Sequence, residues 1–551
     1  MPVITLYFER LAGLLGSEVS REEIVDRIPY LGLDIEEQTR EYVRVEYNPN
    51  RPDYSTDYGI ARGLNGLLDL RLGTPHYQVK SDGFKISVES NVKNVRPFIV
   101  GAITRDLRLD DETIRQLIAM QEDLHMGIGR RRAKVAIGLH NLDKIVPPLN
   151  YRAVGVDFSF VPLGSNRSMQ IPEILQETEP GRLYGEIVRS KGSYPMITDS
   201  RGEVLSFPPI INGELTKLTP NTKNLFIDVT GTDSKAVDDA LAILVAALHD
   251  AGGSIYSVMV TNQDSIKRSP DFTPTIRSFE MDFCNRLLGL DLNKEQMISN
   301  LGRARIDAKA HDGVIEASIP RYRTDILHPV DLVEEVALGY GIQNFTVTLP
   351  ATVTSGASNA IQRLLDGIRE ALVGLSMIEV MNFNLLDDSL LYTKMNREGR
   401  STLRVEGPKS SEHEVLRDRL LPSLLATLGG NVHEEYPQRI FEVGKVYVKE
   451  GGGRMATQEN YHVAAAIAHS SANYSEIKST MDSLLGSGLL DDFTFRTAKC
   501  QPFASGRTAA VLADNITVGY VGEVSPETLA NLSLKVPVGA FEIDVSVLPK
   551  K

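Results

Sequence analysis

The sequence contains no tryptophan and only two cysteines, Cys284 and Cys500, among its 551 residues. Thiols this few and this far apart exclude a disulfide framework and a cysteine-ligated zinc site, and they are typical of proteins that work in a reducing cytoplasm. No apolar run approaches the roughly twenty residues that a membrane-spanning helix needs. The first residues carry acids and lack a positive region before an apolar stretch, so we expect no signal peptide. The sequence therefore predicts a cytoplasmic protein with no membrane partner.

Positive charge is also in short supply. The 59 basic side chains are outnumbered by 72 acidic ones, which gives a net charge of −13. This balance argues against an extended nucleic-acid surface, because neutralisation of phosphates drives most such binding. The densest positive cluster is Arg130, Arg131 and Arg132, with Lys134 nearby. Such a run lies on a solvated face or contacts phosphates, and the residues alone leave both interpretations open.

The length exceeds what one hydrophobic core can serve, and about three to five domains are expected. Proline-containing polar stretches at 264–275 and 349–360 mark two boundaries. We predict an α+β protein of four domains, each combining strands and helices. Their ranges are 1–75, 76–265, 266–348 and 349–551.

Four carboxylates lie close together in the helix-rich third domain: Asp325, Asp331, Glu334 and Glu335. The last three stand at i, i+3 and i+4, so on a helix they share one face. Pro329 suits the first turn of that helix, where its missing N–H is tolerated. Carboxylates that converge without histidine or cysteine favour Mg²⁺ over zinc, and Mn²⁺ accepts the same ligands.

A purely structural interpretation of these acids is favoured by their spacing alone. Acidic residues are common in the first turn of any helix because they complement its dipole. Arg321 or Arg323, just before the helix, could pair with them. The sequence therefore leaves a metal site and a neutralised helix start as alternatives.

Polar residues in the second domain form no nucleophile–base pair by their spacing. Asn212 and Gly213 follow two prolines at a strand-to-turn position, and Thr216 lies in the loop beyond. His140 follows a Gly-Leu pair at the end of a predicted strand, where a lone histidine is more often structural than catalytic. From the residues alone this is a polar loop rich in turn formers.

Several short motifs resemble those of the β subunits of phenylalanyl-tRNA synthetases of the archaeal and eukaryotic type. The similarity covers essentially the whole chain. The matching segments are Arg323-Thr324-Asp325 with Asp331, Glu334-Glu335 and Tyr340-Gly341; Gly138-Leu139-His140, Pro209–Gly213 and Phe226–Thr230; and Leu416-Arg417, Leu420–Pro422 and Arg439–Gly444.

This resemblance implies a set of roles for particular residues. Asp325, Asp331, Glu334 and Glu335 match the family's magnesium ligands, at an ion shared with the α subunit. The second domain matches an editing domain that hydrolyses tyrosine wrongly attached to phenylalanine tRNA. Its editing residues are expected to include His140, Asn212, Gly213 and Thr216.

The fourth domain resembles a class II aminoacyl-tRNA synthetase module, an antiparallel sheet that lacks the catalytic residues. No arginine pair near Phe441-Glu442 is spaced to clamp a triphosphate. The resemblance therefore implies a phenylalanine–tRNA ligase of two α and two β chains. The α subunit would attach phenylalanine to tRNA(Phe) with ATP, and this chain would contribute no residue to that reaction.

Two other functions remain as alternatives. A stand-alone hydrolase of mischarged tRNA would have no need of a large degenerate synthetase module. A metal-dependent hydrolase centred on the four carboxylates would need a general base, and only His328 is near them in sequence.

Overall fold

The computed structural model describes residues 2–16, 19–107, 110–189, 191–219, 221–263, 265–349, 355–398, 402–449, 457–489 and 493–547. The chain divides into two compact units, Met1–Thr348 and Leu349–Lys551. Both units combine strands and helices, which confirms the predicted mixed α+β, multidomain class. Within the described ranges, no helix combines the length and apolar character needed to cross a membrane.

The first unit contains eighteen strands and eleven α-helices in its described residues. Its strands are β1 Val3–Tyr7, β2 Asp34–Gln38, β3 Tyr42–Glu46, β4 Val79–Val88, β5 Phe98–Arg105, β6 Val135–Asn141, β7 Leu149–Val154, β8 Ser159–Phe160, β9 Met169–Gln170, β10 Tyr194–Thr198, β11 Val204–Phe207, β12 Ile211–Asn212, β13 Leu225–Gly231, β14 Ser254–Thr261, β15 Ile266–Ser269, β16 Thr275–Glu280, β17 Asp307–His311 and β18 Val314–Ile319. Its helices are α1 Phe8–Leu15, α2 Arg21–Arg27, α3 Asp57–Leu67, α4 Asp111–Met126, α5 Ile171–Glu177, α6 Glu179–Tyr184, α7 Glu186–Arg189, α8 Ser234–Asp250, α9 Met281–Leu288, α10 Lys294–Arg303 and α11 Pro329–Tyr340.

The second unit is built from the remaining elements. Its strands are β19 Ile378–Glu379, β20 Leu385–Leu386, β21 Val415–Leu416, β22 Gln438–Lys449, β23 Thr457–Ala468, β24 Phe493–Thr497, β25 Phe503–Ala513, β26 Ile516–Val524 and β27 Val538–Asp544. Its helices are α12 Ala360–Gly374, α13 Leu421–Gly430, α14 Tyr474–Leu484 and α15 Pro526–Asn531.

A three-stranded antiparallel sheet, in the order β1-β3-β2, opens the first unit. The Ser20 hydroxyl caps α2 by accepting from the Glu23 N–H at 3.1 Å, as its sequence predicts. The Arg51 side chain donates to both carboxylate oxygens of Asp53, at 2.9 Å each, so this arginine braces its own turn.

A ten-stranded sheet forms the centre of the first unit. Its order is β12-β11-β10-β7-β4-β14-β5-β13-β6, with β15 paired to β14. Helix α8 is buried on almost every side because it packs against this sheet with an alanine-rich and leucine-rich surface. Strand β15 carries the sheet to Ser269, beyond the domain boundary predicted at residue 265.

The last part of the first unit is a three-stranded sheet, β16-β18-β17, with α9, α10 and α11 against it. Asn293 and Gln296 cap α10 reciprocally, as predicted. Helix α11 begins at Pro329, in the first turn expected from the sequence. The sequence favours a single helix over Phe279–Leu288, but Phe279 and Glu280 belong to β16 because they pair with β18, and α9 begins at Met281.

The second unit contains a seven-stranded sheet in the order β19-β22-β23-β27-β26-β25-β24. Only the β19–β22 pair is parallel; the other pairs are antiparallel. Helices α12 and α14 pack on one face and α13 on the other. The glycine turn predicted at 451–453 lies outside the described residues, although the flanking strands β22 and β23 pair as a hairpin.

A buried charge cluster links β23 and β27 in this sheet. Glu542 accepts hydrogen bonds from the Leu420 and Leu421 N–H groups, both at 2.9 Å, at the start of α13. The His462 Nδ1 lies 2.6 Å from the Glu542 carboxylate, and its Nε2 lies 3.6 Å from Asp544. Burial lowers the pKa of His462, but hydrogen bonds to Asp544 and Glu542 outweigh it and raise the pKa to about 9.

This cluster predicts that the second unit loses stability in mild alkali. A histidine whose folded pKa exceeds its unfolded value of about 6.5 stabilises fully below pH 6.5, and that contribution disappears as pH rises through about 9. We expect the free energy of unfolding to fall by up to roughly 3 kcal/mol across this window. This fall in stability is measured by hydrogen exchange of the Thr457–Ala468 amides at several pH values, after correction for their intrinsic exchange rates.

The matched control is His433→Gln, since that histidine is 70% exposed. The pH slope should survive in His433→Gln and flatten in His462→Gln. An equal slope in both variants would mean that His462 does not carry the effect.

Candidate functional site

A cavity of about 410 Å³ opens between β6, β13, α4 and the loop that contains β12. Most of its wall is apolar, and polar side chains enter it from α4, from the segment around β12 and from β13. The apolar residues include Ile118, Ile137, Leu139, Ile210 and Leu218, and the polar ones include Ser206, Asn212, Thr216, Asp228 and Thr230. A mostly apolar pocket with a few fixed polar groups is the usual form of a small-ligand site.

A chain of three buried side chains lies along this wall. The His140 Nε2 is 2.8 Å from the Asp228 Oδ1, and its Nδ1 is 2.8 Å from the Thr216 Oγ1. His140 is fully buried and does not line the cavity, whereas Thr216 and Asp228 do. Spacing in the sequence indicated no partner for His140, because Thr216 and Asp228 come from distant parts of the chain.

The ionised Asp228 can only accept, so the His140 Nε2 carries the proton and donates to it. The His140 Nδ1 then accepts from the Thr216 hydroxyl. The proton of Thr216 is thus directed away from the cavity, and its oxygen lone pairs remain free to accept. His140 holds both lining residues in fixed orientations.

Gly138 makes this arrangement possible. It lies directly opposite Asp228 in the β13–β6 pair. A Cβ on Gly138 would lie 2.3 Å from the Asp228 Oδ1 and 2.7 Å from the His140 Nε2, so any larger residue collides with the contact. The absence of a side chain at Gly138 is a condition of the His140–Asp228 hydrogen bond.

Asn212 and Gly213, both predicted site residues, also line the cavity. The Asn212 Oδ1 accepts from the Ser206 hydroxyl at 3.1 Å, and its amide reaches the Leu139 carbonyl at 3.5 Å. Gly213 donates its N–H to the Leu205 carbonyl at 2.7 Å and approaches Val204 too closely for a side chain. All four predicted editing residues therefore surround one cavity, with His140 behind its wall.

A second histidine lies on the α4 side of the cavity. The His125 Nε2 accepts from the Ile137 N–H at 2.9 Å, and its Nδ1 faces Glu122 at 3.1 Å. Burial lowers the pKa of His125, so the ring is neutral with its proton on Nδ1. The hydrogen bond from His125, with the charge of Arg132, lowers the pKa of Glu122 to about 2.

Arg96 supports the opposite wall from within the protein. It is 2% exposed, and its side chain donates to the Thr230 Oγ1 at 2.9 Å and to the Thr230 carbonyl at 2.8 Å. Burial lowers the pKa of Arg96 to about 10, against the opposing effects of Tyr151 and Asp228. The guanidinium fixes Thr230 and places a positive charge behind Asp228.

The arginine run 130–132, for which the sequence left a solvated face and a phosphate contact open, is only partly exposed. Arg130, Arg131 and Arg132 all adopt positive φ angles, of 45°, 53° and 64°. Non-glycine residues rarely do so, and successive ones mark a strained turn. Arg132 lines the cavity, donates to Glu122 at 2.7 Å and stacks over Tyr184 at 4.5 Å, while Arg130 and Arg131 are exposed.

The four predicted metal ligands lie around the start of α11, but two of them are bound to an arginine. The buried Arg323 donates to Asp325, at 2.6–3.3 Å, and to both oxygens of Glu335, at 2.5 and 3.2 Å. Arg321, the other arginine considered from the sequence, pairs instead with Asp239. The predicted common face is incomplete because Glu335 turns inward to Arg323.

The other two carboxylates face outward. Asp331 accepts from the Leu327 and His328 N–H groups, at 2.6 and 2.7 Å, and so caps the helix. Glu334 is exposed, and partial burial together with the charges of Glu335, Asp331 and Asp325 raises its pKa. Among the described residues, no group of three or more His, Cys, Asp or Glu side chains is arranged to hold a metal ion.

One arginine of the second unit that belongs to a matched motif is also neutralised. Arg417 and Glu442 are both buried and form an ion pair of 2.5 Å between Nη1 and Oε1. The Arg417 Nε also donates to the Lys445 carbonyl at 2.9 Å. Arg417 is thus held by the protein and is not directed towards an open site.

Asp228, Thr230 and Ser206 were not among the predicted site residues. A signal for Asp228 existed in the sequence: it interrupts an otherwise apolar strand, LFIDVTG, where a buried carboxylate needs partners. Ser206 carried no such signal, because its position at the cavity depends on how β11 and β12 pair.

Sequence comparisons with known proteins identify related proteins over nearly the whole chain. Three family models match: the phenylalanyl tRNA synthetase beta chain CLM domain at residues 346–545, the tRNA synthetase B5 domain at 277–342 and the B3/4 domain at 87–243. The phenylalanine–tRNA ligase beta subunit of Archaeoglobus fulgidus is 42% identical, over 99% of this chain and 98% of the relative. That of Methanospirillum hungatei is 40% identical, over 100% and 98%. An N-terminal fragment of the Pyrococcus horikoshii phenylalanyl-tRNA synthetase beta subunit has a similar structure, with a TM-score of 0.59 and 37% identity over 62% of this chain and 100% of the fragment.

Proposed function

Because this chain belongs to the family of phenylalanine–tRNA ligase beta subunits, we propose that its 410 Å³ cavity is the site where mischarged tyrosyl-tRNA(Phe) is hydrolysed. The observation that carries this proposal is the Thr216–His140–Asp228 chain on the wall of an otherwise apolar pocket. The mostly apolar pocket suits an aromatic side chain, and Thr216 and Asp228 add polar contacts to its wall.

Asp228 supplies the discrimination between tyrosine and phenylalanine. An ionised carboxylate can only accept, and the tyrosine hydroxyl is a donor. Phenylalanine would leave the second oxygen of this buried carboxylate without a donor, and a site built to hydrogen-bond a hydroxyl rejects the analogue that lacks it. His140 keeps one Asp228 oxygen occupied and so leaves the other for the substrate.

Hydrolysis of the ester then needs an oriented water and donors for the developing negative charge. Thr216, Asn212 and the backbone around Gly213 lie on the same wall and can position the water. Arg130 and Arg131 are exposed next to Arg132 in the cavity wall, where they can contact the phosphates at the end of the tRNA.

A deacylation assay of the assembled α and β chains tests this function. Tyrosyl-tRNA(Phe) should be hydrolysed much faster than phenylalanyl-tRNA(Phe). Equal rates for both esters, or no hydrolysis above the spontaneous rate, would exclude the cavity as an editing site.

The four-domain division and the assembly belong to the same proposal. Residues 1–75 form the N-terminal domain, 76–265 with β15 the editing domain, 266–348 the domain of the carboxylates, and 349–551 a class II synthetase-like module without catalytic residues. The seven-stranded, mostly antiparallel sheet and the Arg417–Glu442 pair support the last assignment. Two such chains would assemble with two α subunits in the cytoplasm. The α subunit would bind ATP and phenylalanine and charge tRNA(Phe).

Mg²⁺ fits the carboxylate cluster in donor chemistry but not as a complete site within this chain. The oxygens of Asp325, Asp331, Glu334 and Glu335 would hold it, although Arg323 already neutralises two of them. Burial and then the like charges of Glu335, Asp331 and Asp325 raise the pKa of Glu334, and these neighbouring negative charges support a cation at this surface. When bound, the ion would join this face to the α subunit, which would complete its coordination.

We therefore expect Glu334→Gln to weaken Mg²⁺ binding and association with the α subunit by roughly tenfold each, because it removes the most accessible anionic oxygen. Isothermal titration with Mg²⁺ and sedimentation of the complex measure the two effects. Glu295→Gln, at an exposed glutamate of the preceding helix, is the matched control. Unchanged metal content and assembly in Glu334→Gln would exclude a metal-binding role for Glu334. The acids at the start of α11 would then have only a structural role.

The two alternative functions are less favoured. The matched relatives are named as subunits, and the chain covers 98% or more of their length, which is not expected of a stand-alone hydrolase. A metal-dependent hydrolase is disfavoured because Arg323 binds Asp325 and Glu335.

A further inference from the structure

A second cleft, of about 340 Å³, lies in the first unit, away from the editing cavity. Helix α3, the segment from Arg71 to Tyr77, the end of α8 and Arg305 form its walls. None of the predicted site residues lines it. Its lining residues are Leu14, Tyr58, Ala61, Arg62, Asn65, Arg71, Pro75, His76, Tyr77, His249, Asp250 and Arg305.

The cleft is strongly basic. Three guanidinium groups and two imidazoles face it, against one carboxylate, Asp250. The buried Arg62 lies 3.1 Å from this carboxylate and donates to the Tyr77 hydroxyl at 2.7 Å. Asp53, which is already paired with Arg51, is the next carboxylate, at 3.8 Å from Arg62. The acids around the cleft therefore neutralise Arg62 and leave the other guanidinium groups uncompensated.

Arg305 is the least compensated of the three. Its φ angle is 62°, in the left-handed region that a long side chain rarely adopts. Its Nη1 donates to the Arg71 carbonyl, and no described residue hydrogen-bonds its buried Nε. Burial lowers the pKa of Arg305 and outweighs the opposing effects of Tyr322, Tyr77 and Asp250. Within the described part of the chain, Arg305 is thus a cation in a rare backbone conformation that forms no direct ion pair.

Several polar atoms around the cleft are buried and unpartnered. Besides the Arg305 Nε, they are the Arg62 Nη2, the Asn65 Oδ1, the His249 Nδ1 and the Asp250 Oδ2, none of which has a hydrogen-bond partner among the described residues. Buried polar atoms without partners are rare in proteins, and a group of them at one cleft indicates a missing ligand or ordered water.

We propose that this cleft binds a phosphate group, carried either by a free nucleotide or by the backbone of the RNA substrate. A guanidinium group can donate two parallel hydrogen bonds to a phosphate. Arg305 lies at the base of the cleft and Arg71 at its exposed rim, so both can donate to one phosphate group. The cleft has the volume of a small-ligand site. The ring of Tyr77, packed on Phe272 at 4.7 Å and against His249 at 5.0 Å, supplies an aromatic wall for a base.

The test is calorimetric titration of the chain with inorganic phosphate, pyrophosphate, adenosine monophosphate and a tRNA(Phe) transcript. Arg71→Ala, at the exposed rim, and Arg305→Gln, at the base, should each weaken pyrophosphate binding tenfold or more. Arg44→Ala, at a half-exposed arginine of the same unit, should leave it unchanged. Because Arg71 is exposed, its variant is expected to fold even where Arg305→Gln does not.

The two sources of phosphate give different results. A free nucleotide predicts that adenosine monophosphate binds at least tenfold tighter than inorganic phosphate. The RNA backbone predicts that Arg71→Ala weakens tRNA binding and lowers its salt dependence by about one phosphate contact. Absence of pyrophosphate binding, or an equal loss in Arg44→Ala, would overturn the proposal and leave only ordered water in the cleft. Neither result bears on the editing cavity, whose hydrolysis of tyrosyl-tRNA is measured separately.

Discussion

Asp228→Asn should lower hydrolysis of tyrosyl-tRNA(Phe) about a hundredfold while leaving aminoacylation by the assembled enzyme intact. The substitution keeps the shape of the side chain but replaces an ionised acceptor with a neutral amide. Hydrogen bonds to charged groups contribute roughly 1.5–3 kcal/mol, which corresponds to a rate loss of about ten- to a hundredfold, and a misdirected NH₂ group adds to it. Single-turnover deacylation and steady-state charging of phenylalanine measure the two activities.

The matched control is Asp233→Asn, a few residues further along the same segment. Asp233 caps α8 by accepting from the Ala236 N–H at 2.9 Å, and asparagine caps a helix equally well. This control should therefore edit normally. Gly138→Ala should reproduce the Asp228→Asn defect without changing any charge, because its methyl group would displace the Asp228 carboxylate. Normal editing by both Asp228→Asn and Gly138→Ala would show that this wall does not recognise the hydroxyl.

Arg323→Met should destabilise the first unit by about 3–5 kcal/mol. The Arg323 side chain is 2% exposed and is bound by Asp325 and Glu335, which are 12% and 8% exposed. Removal of one partner from a buried ion pair leaves uncompensated charge in a poorly solvated place, and that penalty exceeds the value of the pair itself. Urea unfolding followed by circular dichroism measures the loss.

Two further variants decide whether the unpaired carboxylates cause the loss. Arg44→Met breaks a half-exposed pair with Glu36 and should cost less than about 1 kcal/mol. Addition of Asp325→Asn and Glu335→Gln to Arg323→Met should restore part of the stability, because it removes the stranded charges. If the triple variant is no more stable than Arg323→Met, lost packing around Arg323 explains the effect instead.

Local features of this fold were predictable because their causes lie within a few residues. The Ser20 cap, the start of α11 at Pro329 and the bracing of the turn by Arg51 each depend on a short segment with strong conformational preferences. The acidic face of α11 was predicted only in part. Spacing places Glu335 beside Glu334 on the helix, but the inward turn of Glu335 depends on the buried position of Arg323.

The Thr216–His140–Asp228 chain shows why a sequence without an alignment is insufficient for long-range sites. His140 meets Thr216 and Asp228 across separations of 76 and 88 residues. Nothing local to any of the three indicates the others, because the register of β13 against β6 brings Asp228 to His140 and the segment after β12 brings Thr216. The resemblance supplied His140 and Thr216, and the packing of the sheet added Asp228 as the partner of the histidine.

The order of strands in the ten-stranded sheet has a consequence for synthesis of the chain. Strand β14 lies between β4 and β5 and pairs with both, although it leaves the ribosome long after them. At elongation rates of about 5–20 residues per second, strands β4 and β5 each wait on the order of ten seconds for β14 with an unpaired edge. Nascent chains stalled before Ser254 should therefore be aggregation-prone and depend on chaperones, whereas chains that extend past Ser269 can close the sheet.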